Sequence, residues 1–95
     1  MKRVRIRAFA TLSSVLNSEF WMELEDNVGV DGLLGKLVER YGERVVEHLF
    51  DPVSGQLQGR VMILKNGRNI RSLQALGTPL EDGDVVSIFP PVGGG

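Results

Sequence analysis

The sequence predicts an α+β fold in which one main helix packs on one face of a mixed sheet of four to five strands. Three observations carry this. Near the N-terminus Val4, Ile6 and Ala8 alternate with Arg3, Arg5 and Arg7, the period of two that marks a half-buried strand. Val30, Leu33, Leu34, Leu37, Val38 and Tyr41 recur at helical spacing and form a single apolar stripe. Near the other end VVSIF is a run of β-formers that follows an Asp-Gly turn.

Taken in order, the first strand has an apolar inner face and an outer face lined by arginine. Polar TLSSVLNSE makes a loop longer than the tightest hairpin turns. FWMELE returns as a second strand, with Phe20, Met22 and Leu24 on one face and Trp21, Glu23 and Glu25 on the other. Gly29 or Asp31 begins the helix and Gly42 closes it as an αL cap. Gly32 and Gly35 lie inside it. Each costs about 1 kcal/mol relative to alanine, so packing rather than propensity must hold this helix. ERVVEHLF adds a helical turn or two that presents Val45, Val46, Leu49 and Phe50, and Asp51-Pro52 stops it. After the loop DPVSGQLQG, the stretch RVMILKNGRNIR reads as a strand, an Asn66-Gly67 turn and a short returning strand. LQALGTPLEDGD then runs over the surface to Asp82-Gly83, and in the last strand Val86 and Ile88 share one face while Val85 and Phe89 share the other.

The economical packing lays the helix across one face of the sheet. A sheet that holds the N-terminal strand beside the C-terminal one places both centrally, which is the β-grasp arrangement. Residues 1–89 form that domain, and residues 90–95 form a flexible, glycine-rich tail launched from the end of the sheet. The length of 95 residues, with 42% hydrophobic and 24% charged, fits one small core and leaves no room for a second domain. A net charge of −1 provides no global basic field, so no nucleic-acid partner is expected. No apolar run approaches the roughly 20 residues that span a bilayer, and MKRVRIRAFATL lacks the continuous apolar region of a signal peptide. No cysteine occurs, which excludes a disulfide framework, a thiolate metal site and a cysteine nucleophile. A cytoplasmic protein is the expectation.

The chain lacks the familiar catalytic constellations. His48, the single histidine, sits beside apolar helical positions and reads as structural; no metal site is expected. The carboxylates of LEDGD have an ordinary turn composition, Ser13 and Ser14 have no activating neighbour, and no GxxxxGK[ST] cradle occurs. What stands out is the end, Phe89-Pro90-Pro91-Val92-Gly93-Gly94-Gly95. Consecutive prolines make a semi-rigid stalk with no donors for the sheet, and three glycines suit a channel too narrow for side chains. The only reactive group such a tail delivers is the α-carboxylate of Gly95, which is ionised at pH 7, is a poor acyl donor, and so must be activated by another enzyme.

The resemblance covers nearly the whole chain. It is strongest from Arg60 to Gly95, where VMILKNGRNI and TPLEDGDVVSIFPPVGGG keep a characteristic order and spacing. There the sequence resembles the MoaD/ThiS family of ubiquitin-like sulfur carriers, most of all the small subunits of molybdopterin synthase. Two positions depart from the family pattern: TLSSVLN replaces a Leu-Arg-Glu-like stretch, and Gly93 stands where alanine or serine is usual.

The resemblance implies a β-grasp protein that is no enzyme on its own. Its C-terminal glycine, matched here by Gly95 after Gly94, is adenylated and converted to a thiocarboxylate that supplies dithiolene sulfur to a pterin during molybdenum or tungsten cofactor synthesis. The implied partners are an E1-like adenylating enzyme of the MoeB/ThiF type that uses ATP and Mg, a sulfurtransferase as sulfur source, and a large subunit of the MoaE type whose active site admits the tail. Rival functions share the same tail: a sulfur carrier for thiamin, cysteine or tRNA thiolation, a ubiquitin-like modifier that acylates lysines, and an interaction module with an inert tail. For the body of the protein, Trp21, Val85 and Phe89, with Phe9 nearby and the first-strand arginines around them, are expected on the outer face of the sheet as a partner surface.

Overall fold

Strict alternation makes Lys2–Ala8 the first strand, β1, with Val4, Ile6 and Ala8 buried and the three arginines between them exposed. The computed structural model describes residues 1–91. The expectations placed on Val92, Gly93, Gly94 and Gly95 therefore lie outside the described residues. β2 (Glu19–Leu24) pairs antiparallel with β1, with Arg5 opposite Trp21 and Val4 opposite Met22. The apolar stripe forms α1 (Val30–Tyr41), followed directly by α2 (Glu43–Leu49). β3 (Met62–Lys65) and β4 (Arg68–Asn69) form a hairpin around Asn66 and Gly67, both at positive φ, and β5 (Val85–Phe89) ends the sheet.

The strand order is β2-β1-β5-β3-β4, with β5 parallel to β1 and antiparallel to β3. The first and last strands thus lie side by side at the centre, as the β-grasp arrangement requires. Leu33 and Leu37 of α1 and Val45 and Leu49 of α2 are buried with Val4, Ile6, Leu24, Ile63, Val86 and Ile88 of the sheet in one core. At roughly 1.5–3 kcal/mol for each large apolar side chain removed from water, this layer contact holds α1 despite its two glycines.

Three local features differ from expectation. Gly42 is no αL cap: at φ 72° and ψ −145° it closes α1 and opens α2 within one residue. Its N–H donates to the Val38 carbonyl at 2.7 Å while its own carbonyl accepts from Val45 N at 3.1 Å. The loop after β1 contains a 3-10 turn, Ala10–Ser14, that buries Leu12. The segment 73–84 does not merely cross the surface, because Thr78 and Leu80 are buried.

Lys2 is the least expected core member. It follows the inward parity of Val4 and Ile6 and is only 6% exposed. Its ammonium donates to the carbonyls of Asp26, Val28 and Leu80 at 2.7–2.8 Å, which satisfies all three N–H groups.

Candidate functional site

β5 sets where the chain leaves the sheet, so the site begins with what fixes β5. Its approach is the Asp82-Gly83-Asp84 turn. Gly83, at φ 89°, donates to the Arg3 carbonyl at 2.8 Å, and Arg3 N donates to Asp82 Oδ1 at 2.8 Å. The Asp84 carboxylate accepts from Glu81 N at 2.7 Å and Asn66 Nδ2 at 2.9 Å, with Lys65 Nζ 3.6 Å away. Asn66 Oδ1 in turn accepts from Val85 N at 2.8 Å. These carboxylates register β5 against both neighbouring strands, so LEDGD is a structural turn.

At the far end of β5 Phe89 lies opposite Met62 of β3. Phe9, just past β1, donates its backbone N–H to the Ile88 carbonyl at 3.2 Å and stacks its ring on Phe89, with centroids 4.2 Å apart and planes 11° from parallel. Pro90 is buried and Pro91 is partly buried. Phe9, Phe89 and the 39% exposed Met62 thus form an apolar end to the outer face beside the exit of the chain.

Trp21 stands at the other end of that face and is 47% exposed. The Arg3 and Arg5 guanidinium groups lie 4.6 and 5.6 Å from its ring centroid, and Arg7 lies 5.3 Å from that of Phe9. Such contacts hold a cation and an aromatic together by about 0.5–1 kcal/mol at exposed sites. Glu19 pairs with Arg5 and, at 3.6 Å, with Arg7. The face is therefore an arginine row on β1 linking two aromatic ends, with one carboxylate partly neutralising it.

The expected outer-face residues, Trp21, Val85, Phe89 and Phe9, are brought to one side of the sheet, away from the helices. The sequence reading overlooked Met62 and Glu19; both were legible from strand parity once β3 and β2 were in register. His48 lies elsewhere, on α2, with Nδ1 2.7 Å from the Arg44 carbonyl. Asp51 caps the following loop: backbone N–H groups of Ser54 and Val53 hold its carboxyl below the ordinary value of 3.8. Among the described residues no group of three or more His, Cys, Asp or Glu side chains is placed to hold a metal ion, and no helix is long and apolar enough to cross a membrane.

Comparison with known proteins adds to this geometry. A family model described as the ThiS family matches residues 6–95, a span that runs from the end of β1 through the other four strands to the glycine run. The chain is 35% identical over 97 residues to a curated relative, small archaeal modifier protein 3 of Haloferax volcanii, covering 97% of this chain and 98% of that one. Among solved structures, the small archaeal modifier protein 1 of Methanosarcina acetivorans superposes with a TM-score of 0.80 at 32% identity, covering 100% of this chain and 98% of its own. A Pyrococcus furiosus chain described as a molybdopterin converting factor subunit 1 gives 0.75 at 28% identity, covering 97% of this chain and 100% of its own.

Proposed function

The chain belongs to the ThiS family of ubiquitin-like sulfur carriers, and from that premise we propose that the α-carboxylate of Gly95 is its reacting group. An adenylating partner of the MoeB/ThiF type uses ATP and Mg to join AMP to Gly95. Sulfur supplied by a sulfurtransferase, brought to the sulfide level by a thiol reductant, attacks the Gly95 carbonyl carbon, AMP leaves with the electron pair of the broken C–O bond, and a thiocarboxylate remains. That sulfur passes to the dithiolene of a pterin in molybdenum or tungsten cofactor synthesis, within the active site of a large subunit of the MoaE type. These are cytoplasmic steps, and this chain supplies the carrier rather than the catalysis.

The observation that carries the reading is the family match running through Gly94 and Gly95. The geometry supports it. β5 is locked by Asp84 and Asn66 and delivers Phe89-Pro90-Pro91 beside an apolar and cationic face, so a partner that grips Phe9, Phe89 and Trp21 meets Pro91 at a fixed place. Pro91 fixes φ there, and Gly93 and Gly94 add no side chain that a narrow channel must clear.

A second reading has support of its own. The 35% identity over nearly the full length is to a protein described as a modifier, which favours transfer of the Gly95 acyl group to lysines of other proteins. The intact mass of the protein isolated from its native cell tests the carrier reading. One sulfur in place of one oxygen at the terminus is the expected result. A population that carries only the unmodified carboxylate or lysine-linked conjugates contradicts it.

A further inference from the structure

Strand parity fixes which backbone groups the sheet leaves over. In β1 the odd-numbered residues turn their peptide groups toward β5: Arg5 N donates to the Asp84 carbonyl at 2.8 Å, and the Arg3 carbonyl accepts from Gly83 N at 2.8 Å. The even-numbered residues turn the other way, as Ala8 N does in donating to the Ser18 carbonyl at 3.0 Å. Their partners on β2, Phe20, Met22 and Leu24, therefore direct their own N–H and C=O groups at β1. Those of Glu19, Trp21 and Glu23 point away from the sheet, about 7 Å apart along its edge. Among the described residues nothing pairs with these backbone groups.

The two edges of the sheet differ. β4 is two residues long and gives a passing strand little to pair with. β2 is six residues long, EFWMEL, contains neither proline nor lysine, and runs against β1 without a bulge. An open cleft follows the same edge, lined by Trp21, Met22 and Glu23 on one side and by Lys36, Glu39 and Arg40 of α1 on the other. The free peptide groups and the cleft thus coincide.

Charge decides which strand fits. On the outer face the edge shows Glu19 and Glu23 on either side of Trp21; on the inner face it has Met22, with Lys36 and Arg40 across the cleft. Among the described residues Glu23 has no ion pair, while Glu19 is shared by Arg5 and Arg7. A second copy's β2 paired antiparallel about Trp21 would set Glu19 against Glu23 at both ends, and like charges directly opposite destabilise a sheet. A strand with basic residues at those two places reverses the sign of both contacts. Aliphatic residues between them lie beside Met22 and the stems of Lys36 and Arg40.

We propose that β2 is a docking edge for an extended segment of another protein, added as a sixth, antiparallel strand, with Lys or Arg on alternate, outward-facing residues and aliphatic residues between. The segment is recognised by backbone hydrogen bonds at Glu19, Trp21 and Glu23 and by its alternation, not by a pocket for one side chain. β1 separates this edge from β5, so docking leaves the last strand uncovered and is independent of the activation of Gly95.

The test titrates the full chain with the end-capped peptide KVTVK, whose threonine is to lie opposite Trp21, and follows backbone amides by NMR. At saturation, exchange of the Trp21 and Glu23 N–H groups should slow at least tenfold, while that of Met22, already bonded within the sheet, should not change. KVPVK lacks the central N–H and should bind at least tenfold more weakly. Glu23→Arg should weaken KVTVK at least fivefold and strengthen EVTVE. Equal binding of KVTVK and KVPVK would reduce the contact to surface charge and overturn strand addition. Equal binding of KVTVK and EVTVE to the native chain would overturn the basic occupant. No binding of KVTVK at millimolar concentration, or a dimer of the free chain in sedimentation with Trp21 N–H already protected, would overturn the proposal as a whole.

Discussion

Single residues in this fold trade local preference against packing, and two glycines of α1 show both outcomes. A Cβ on Gly35 enters open space, so Gly35→Ala should stabilise the protein by about 0.5–1 kcal/mol in denaturant titration. A Cβ on Gly32 would come within 2.7 Å of Val28 Cγ1, so Gly32→Ala should gain less, or lose stability, in the same measurement. Lys2→Met removes the donor to three carbonyls and should cost about 3 kcal/mol, well beyond a surface substitution. Asp51 gives a pH signature. Its carboxyl is held below 3.8 by the Ser54 and Val53 N–H groups, so its stabilising effect is fully present above pH 3.8 and is lost as pH falls through the lower folded value. The stability difference between the native chain and Asp51→Ala should therefore shrink in acid. A difference that grows there contradicts the cap.

Among elements, what could be read from the sequence depended on whether one periodicity ruled a segment. β1, β2 and α1 were legible because each buries one face and alternates or repeats accordingly, and β5, whose Val86, Ser87 and Ile88 are all buried, because it is an unbroken run of β-formers after an Asp-Gly turn. The facing of Trp21 and Phe89 followed from parity alone. Lys2 escaped because a lysine was not counted as inward even though it shares the parity of Val4. The 3-10 turns and the positive φ of Ala10 and Ala75 escaped because alanine carries no turn signal, although the Ser13 and Thr78 hydroxyls three residues on donate to the carbonyls of these alanines. Gly42 was recognised as a helix end, yet its ψ was set by an immediately following helix. At this scale the outer face makes its own prediction. Trp21→Ala should change stability by no more than about 1 kcal/mol, since the ring is half exposed, while slowing activation by the adenylating partner. Phe9→Ala breaks the stack on Phe89 and should cost about 1 kcal/mol as well as slow activation. Activation rates that match the native chain in both variants would remove the face from the partner surface.

At the scale of the whole molecule, the fold separates holding from reacting. The core and the Asp84 lock position β5 at the centre of the sheet, and the chemistry proposed above belongs to the glycine run that follows Pro91 in the sequence. Changes at the tail should therefore leave folding untouched while removing function. The most direct measurement is pyrophosphate release with the cognate activating enzyme, ATP and Mg, comparing the native chain with one extended by a single residue after Gly95. Release from the native chain and none from the extended one, at equal thermal stability, is the predicted result. Equal release from both would contradict the assignment of Gly95 as the reacting group.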